Sequence, residues 1–276
     1  MAERLPDRRA LNVGDRLEMG SGGPAEIREV RQRNWSRIAV AHRDGERLFV
    51  KQFVDRIGHW HQRGFAGDAE TAELLGDEIV GVRVLPVIHR DPDRLITVAR
   101  YIEMDTIDSL RGKDRQRSRE VAAQIGKALA AVIEERTVAD QPDTVDVWKG
   151  LDPKNLGVGR DGTVYIFDFG PPARTSRTAA AAAAVSAGLL SQWVAHPGLH
   201  LVAPERHVLR KVCEPIAPMT TVDAVLESLA RHRELRLREP QRDGLAGIAT
   251  RLGVRTVGSI YWRVAETEAR RLFPQA

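Results

Sequence analysis

The sequence predicts an α+β fold of two lobes, a small antiparallel sheet lobe followed by a larger, mainly helical lobe. Three observations predict it. Strand-like segments with turn signals fill the first hundred residues, an amphipathic helix begins near residue 115, and the chain after residue 172 is helical in pattern. A short connector separates the two parts, so we place the lobes at 1–102 and 103–276. A cleft between two such lobes is a usual ligand site.

Length, composition and charge exclude several classes of protein. The 276 residues are 42% hydrophobic, enough for a sizeable core and too many for a disordered chain. The 42 basic and 38 acidic residues are interleaved, without the basic block typical of a nucleic-acid binder. The single cysteine, Cys213, fits a reducing compartment and an inert buried thiol. A signal peptide is not predicted, because the first nine residues contain no apolar core. A membrane span is not predicted either, because the longest apolar stretch, Ala179–Ala195, carries polar residues. We expect a soluble, cytoplasmic protein without nucleic-acid or membrane partners.

The sheet lobe is predicted from strand and turn patterns. Asp44-Gly45 predicts a type I′ hairpin turn, Asp91-Pro92-Asp93 predicts a second turn, and a helix is expected around Ala66–Leu75. The predicted strands are Ala25–Val30, Ile38–His42, Arg47–Phe53, Val82–His89 and Arg94–Tyr101.

The helical lobe begins with a long amphipathic helix. Apolar residues recur at three- and four-residue spacing over Arg115–Glu135. The segment Val145–Phe169 predicts strands with a hairpin turn at Asp161-Gly162. Everything after Pro172 is predicted to be helical, with breaks at prolines 197, 215, 218 and 240.

Two polar residues stand at the outer ends of that predicted hairpin. Asp168 ends an apolar strand and Gly170 lets the chain turn away, an arrangement that presents a carboxylate to a magnesium ion. Asn155 ends a polar loop before the partner strand, so both side chains are expected to reach one metal-phosphate group. The alternatives are that Asp168 caps a turn and that Asn155 only orders its loop.

Lys51 is the third candidate. Only six of the 42 basic residues are lysine, so a lysine in mid-strand suggests that a compact point charge is needed there. Strand alternation puts Phe49, Lys51 and Phe53 on one face, where a lysine needs a carboxylate or phosphate partner. The alternative is an exposed lysine on an edge strand.

The chain contains a mid-strand lysine, an acidic helix, a strand that runs into a connector, a loop that ends in Asn, and a hairpin that ends in Asp-Phe-Gly. Their order resembles that of the protein-kinase-like superfamily, over about Ala25 to Pro172. The sequence is closer to the aminoglycoside and small-molecule phosphotransferase branch than to the eukaryotic protein kinases. In that superfamily the strand lysine binds the ATP phosphates, and the loop asparagine and the aspartate of Asp-Phe-Gly hold magnesium. The resemblance therefore implies Lys51 for ATP, and Asn155 and Asp168 for Mg²⁺.

The resemblance also assigns residues around the nucleotide. The connector Tyr101-Ile102-Glu103-Met104 would meet adenine through backbone groups, with apolar contact from Ile102 and Met104. The turn Arg31–Arg37 lacks the usual phosphate-covering glycine, and Ser36 with Arg37 would substitute for it. The helix acid that pairs with Lys51 is Asp68 by spacing or Glu70 by residue type, and Glu73, one turn from Glu70 on the same helix, is a third candidate.

The predicted catalytic loop departs from the family pattern. Gly150 stands where the family places its base, and the nearest acid is Asp152. The sequence thus predicts an ATP- and magnesium-dependent phosphotransferase acting on a hydroxyl of a small molecule or a peptide Ser/Thr, with Asp152 as base. The alternative is a catalytically silent kinase-like module that binds nucleotide and scaffolds a partner. Gly150 favours the module. Retention of Lys51, Asn155 and Asp168 together favours the enzyme, because a pure scaffold needs no metal ligands.

Overall fold

The computed structural model describes most of the chain and, in that part, defines three sheets, one of them only two-stranded, and a group of helices. None of the helices in this part of the chain is both long and apolar enough to span a membrane. The described residues are 10–20, 23–32, 36–53, 65–67, 73, 75–135, 145–147, 155–167, 173–175, 178–193, 206–238 and 262–275.

A six-stranded antiparallel sheet forms the first part of the molecule, in the order β1-β2-β3-β4-β8-β7. The β3–β4 turn has positive φ at both Asp44 (49°) and Gly45 (82°), which confirms the predicted type I′ hairpin. Its strands are β1 (Arg16–Leu17), β2 (Ala25–Gln32), β3 (Ser36–Arg43), β4 (Glu46–Phe53), β7 (Val87–Asp91) and β8 (Ile96–Arg100).

One face of this sheet is closed by the N-terminal segment of the chain. Leu11, Leu17 and Met19 pack on buried side chains of the sheet, because alternate residues of each strand point to that face. The sheet residues of this cluster are Ala25, Ile27, Ala39, Ala41, Leu48, Val50, Ile96 and Val98. Lys51 lies between Val50 and Gln52 in β4, so strand alternation directs it to the opposite face.

A second sheet follows the order β5-β6-β12-β11-β9. Its strands are β5 (Glu78–Ile79), β6 (Val82–Val84), β9 (Met104–Thr106), β11 (Leu156–Gly159) and β12 (Val164–Ile166). β6 runs parallel to β12, and the other neighbours are antiparallel. The lobe boundary at residue 102 stays a prediction. This sheet combines strands from both sides of that position, because β5 and β6 precede it and β9, β11 and β12 follow it.

The prediction of one strand over Val82–His89 is wrong. The segment divides into β6 in the second sheet and β7 in the six-stranded sheet. Pro86 lies between them and has no backbone N–H to continue a ladder. The preceding residue, Leu85, instead donates its backbone N–H to the carbonyl of Ile166 at 2.9 Å.

The helices form the larger part of the core. They are α1 (Ile107–Lys113), α2 (Arg115–Glu135), α3 (Thr178–Trp193), α4 (Arg206–Cys213), α5 (Val222–Arg238) and α6 (262–272), with a 3₁₀ turn at Ala217–Met219. α2 has the predicted bounds, and its apolar face packs in one cluster with α3, α4 and the second sheet. The predicted α+β class, with an antiparallel sheet lobe and a larger helical part, is confirmed. This is the arrangement expected of a two-lobed kinase-like fold.

Three further expectations concern the region after residue 172. The prediction that it is entirely helical is wrong at β13 (Ala173–Thr175), which pairs with β10 (Val145–Val147). Three residues are too few to show a hydrophobic periodicity in the sequence. β13 is therefore defined only by its pairing with a strand that is distant in the chain. Cys213 is fully buried as expected, and burial raises the pKa of its thiol to about 12. The predicted breaks at Pro197 and Pro240 lie outside the described residues.

Helix α2 contacts helix α4 through a glycine. A Cβ on Gly126 would lie 3.0 Å from the Cα of Val212 and closer still to its carbonyl oxygen. We expect Gly126→Ala to lower the free energy of unfolding by about 1–3 kcal/mol, because two helix backbones must separate. The matched control is Gly188→Ala in α3, where a Cβ meets no atom within 4 Å and helix propensity favours alanine. Urea denaturation measures the free energy of unfolding of both variants. An unchanged free energy of unfolding in Gly126→Ala would contradict this helix packing.

Candidate functional site

Lys51 lies in the interior of the six-stranded sheet. In β4 it pairs with Ile38 of β3 on one side and Thr97 of β8 on the other. Its exposed fraction is 8%, so the alternative of an exposed lysine on an edge strand is wrong. Within the meander β2–β3–β4 the lysine is on the third strand, and burial of its charge carries a free-energy cost that specific contacts must offset.

One aromatic ring lies against this lysine, and a second ring packs on the first. The Lys51 Nζ is 4.4 Å from the ring centroid of Phe53, two residues along the same strand face. Phe53 in turn meets Phe65 edge to face, with centroids 6.1 Å apart and ring planes at 79°. On the far side, the guanidinium carbon of Arg90 lies 4.6 Å from the Phe65 centroid. The ammonium is therefore one end of a continuous series of cation–ring and ring–ring contacts.

Gln52 fixes the strand beside the lysine, and it is a residue that the sequence analysis missed. Its Oε1 accepts the backbone N–H of Leu11 at 3.0 Å, and its Nε2 donates to the carbonyl of Arg94 at 3.3 Å. One buried amide thus ties β4 to the N-terminal segment and to the β7–β8 turn. The signal in the sequence was a glutamine that continues the apolar series Leu48, Val50 on one strand face.

Asn155 is placed by the β11–β12 hairpin. It is 7% exposed and directly precedes β11, and its carbonyl accepts the backbone N–H of Phe167 at 3.1 Å. The outer ends of the hairpin are therefore joined, as predicted. Asp168 is the next residue in the sequence and lies outside the described residues.

The turn of this hairpin is held by side-chain hydrogen bonds. Asp161 accepts the Thr163 backbone N–H at 3.0 Å and its hydroxyl at 2.8 Å, and these bonds lower the pKa of the Asp161 carboxyl. Gly162 has a φ of 83°, a conformation that glycine adopts without strain. The predicted Asp161-Gly162 turn is confirmed.

The connector, residues 101–104, contacts the six-stranded sheet at its first residue and the second sheet at its last. The Tyr101 backbone N–H donates to the carbonyl of Arg47, and the Arg47 guanidinium lies 3.9 Å from the Tyr101 ring centroid. Met104 begins β9 and pairs with Gly159 of β11. Glu103 forms an exposed ion pair with Arg160 at 2.6 Å, a contact of a kind that contributes little stability. Contact of this segment with adenine stays a prediction.

The remaining candidates divide into two groups. Ser36 is described: it is buried at the start of β3 and pairs with Phe53. Gly150, Asp152, Asp68, Glu70 and Asp168 lie outside the described residues. Within the described part of the chain, no three His, Cys, Asp or Glu side chains are grouped to hold a metal. Magnesium in nucleotide sites needs only one or two carboxylates with substrate phosphates and water. The assignment of Asn155 and Asp168 to that ion stays a prediction.

Solved structures similar to this chain include protein kinase domains. The kinase domain of PknI from Mycobacterium tuberculosis is 10% identical, covers 76% of this chain and 91% of that chain, and gives a TM-score of 0.45. Two double mutants of that domain are 13% and 14% identical, cover 80% and 79% of this chain and 100% and 99% of theirs, and score 0.47 and 0.45. No family model and no curated protein matches the chain.

Proposed function

We propose that this protein is an ATP- and magnesium-dependent phosphotransferase that transfers the γ-phosphoryl group to a hydroxyl of a small molecule or a peptide Ser/Thr. The observation that carries the proposal is the buried ammonium of Lys51 in the interior of an antiparallel sheet. A buried lysine on the third strand of such a meander is where kinases hold the ATP phosphates. A phosphate is also one of the few groups that match a buried ammonium in charge.

The proposed roles follow from the chemistry of each residue. Lys51 binds the α- and β-phosphates, oriented by Asp68 or Glu70, and Ser36 lies beside the turn that covers the phosphates. Asn155 supports the metal site because its buried amide supplies an oxygen ligand, with Asp168 as the carboxylate. When bound, magnesium neutralises the phosphate oxygens and ATP supplies the transferred group.

The proposal has two versions, which differ in whether the acceptor hydroxyl is activated for phosphoryl transfer. In the first, Asp152 accepts the proton of the attacking hydroxyl. In the second, the protein binds nucleotide without transferring phosphate and acts as a silent module, which Gly150 at the family's base position favours. In the first version the protein resembles the small-molecule phosphotransferase branch of the superfamily.

The proposal is tested on the unmodified protein by thermal unfolding with magnesium and nucleotide. Ligand at a hundred times its Kd stabilises the folded state by about 2.7 kcal/mol, so Mg-ATP should raise the melting temperature by several degrees. Release of ADP with panels of aminoglycosides, other small alcohols and Ser/Thr peptides then separates enzyme from module. A melting temperature that is unchanged by Mg²⁺ with ATP, GTP, CTP and UTP would contradict the nucleotide site.

A further inference from the structure

We propose that the Phe53–Phe65 ring pair positions the ammonium of Lys51 for phosphate binding. Both rings are then positioning residues of the nucleotide site. For its ligand this proposal rests on the proposed function, and for its geometry it rests on contacts among the described residues.

The first step is the contact between the ammonium and the ring of Phe53. Residues two apart in a strand project from the same face, so the lysine and this ring are neighbours by backbone geometry. The Nζ lies 4.4 Å from the ring centroid, well inside the distance of about 6 Å at which a ring face attracts a cation. Both side chains are 8% exposed, and this attraction strengthens where water is excluded.

The second step is that the ring of Phe53 is itself fixed. It forms a buried cluster with Phe65 and Leu95, and its backbone N–H donates to the carbonyl of Leu95 at 2.9 Å. Leu95 has a φ of 52°, a left-handed conformation that a bulky side chain rarely adopts. Leu95 thus combines an unfavourable backbone conformation with two contacts: its carbonyl accepts the last N–H of β4, and its side chain packs in the cluster with the two rings. Such strain persists only where the surroundings hold it.

The third step is the contact on the far ring. Arg90 stacks on Phe65 at 4.6 Å from the side of the sheet edge, so each ring of the pair has a cation over its face. Phe65 belongs to the helical residues 65–67, and Asp68 and Glu70 follow it by three and five positions in the sequence. The ring pair therefore links β4, which carries the lysine, to the segment in which its acidic partner is predicted.

The test removes the aromatic face while keeping an apolar side chain. Phe53→Leu should raise the Kd for Mg-ATP about tenfold, measured by calorimetry, and Phe53→Tyr should keep it within about twofold because the ring face remains. Phe65→Leu should raise the Kd less, since it acts through Phe53, and it serves if Phe53→Leu does not fold. The matched control is Phe273→Leu in the helical core, where the ring is 4% exposed and only stability should change.

A second readout needs no nucleotide. Competitive acetylation of Lys51, measured by mass spectrometry against the exposed Lys113, reports how strongly the surroundings favour the charged ammonium. The relative rate at Lys51 should rise several-fold in Phe53→Leu and return towards the original value in Phe53→Tyr. If the unmodified protein fails to bind Mg-ATP, the proposed function fails while acetylation still decides the role of the rings. An unchanged acetylation rate at Lys51 in Phe53→Leu would overturn the positioning role. So would an acetylation rate in Phe53→Tyr as high as that in Phe53→Leu.

Discussion

Lys51→Ala should abolish the stabilisation of this protein by Mg-ATP without unfolding it. Removing one partner of a buried charge pair costs about 2–5 kcal/mol, which raises the Kd by a factor of about 30 to 4,000. At ATP concentrations that saturate the unmodified protein, the variant then shows almost no thermal shift. The fold should survive, because the sheet around Lys51 is held by the apolar cluster on its other face and by Gln52. Scanning fluorimetry with and without Mg-ATP gives both quantities.

The matched control for this prediction is Lys113→Ala. Lys113 is 71% exposed and pairs with Asp105 at 3.4 Å, so its removal leaves a surface aspartate in water. We expect an unchanged thermal shift with this variant. Equal shifts in Lys51→Ala and in the unmodified protein would mean that the buried ammonium does not bind phosphate, and the proposed nucleotide site would have to be abandoned.

The elements that sequence could predict are those defined by local geometry. Helix α2 has the predicted bounds because its period repeats over six turns of one amphipathic face. The turns at Asp44-Gly45 and Asp161-Gly162 were predictable because positive φ angles select those residues. β13 and the division of Val82–His89 were missed, since each depends on a partner strand far away in the chain. A proline inside a predicted strand was the local signal for the division.

The candidate site was predictable to a similar extent. The rarity of lysine and the strand alternation predicted a buried Lys51 next to Phe53, and both are observed. Gln52 and Phe65 were not found, because their roles depend on side chains and backbone groups from other segments. The Leu11 N–H that Gln52 accepts is 41 residues away, and no periodicity connects such residues. Roles for Asp152 and Asp168 rest on the sequence alone.

Asp152→Asn separates the two versions of the proposed function. The substitution keeps the size of the side chain and removes the proton acceptor, and general-base help is worth about 10²–10⁴ in rate. Phosphoryl transfer should therefore fall by that factor. Mg-ATP should still raise the melting temperature, because the proposed phosphate and metal ligands are other residues. The control is Asp93→Asn, the same change at an exposed position in the β7–β8 turn.

Each outcome of this experiment has a distinct physical meaning. A loss of turnover with an intact thermal shift identifies Asp152 as the base and the protein as an enzyme. Unchanged turnover means that Asp152 is not the base, and a dissociative transfer that needs little proton abstraction becomes the better account. If the unmodified protein binds Mg-ATP but releases no ADP with any acceptor offered, the silent module is the better description. The variant Gly150→Asp, which places an acid at the family's base position, then tests the silent-module description. A loop that lacks only its base should gain phosphotransferase activity, whereas a binding module should gain none.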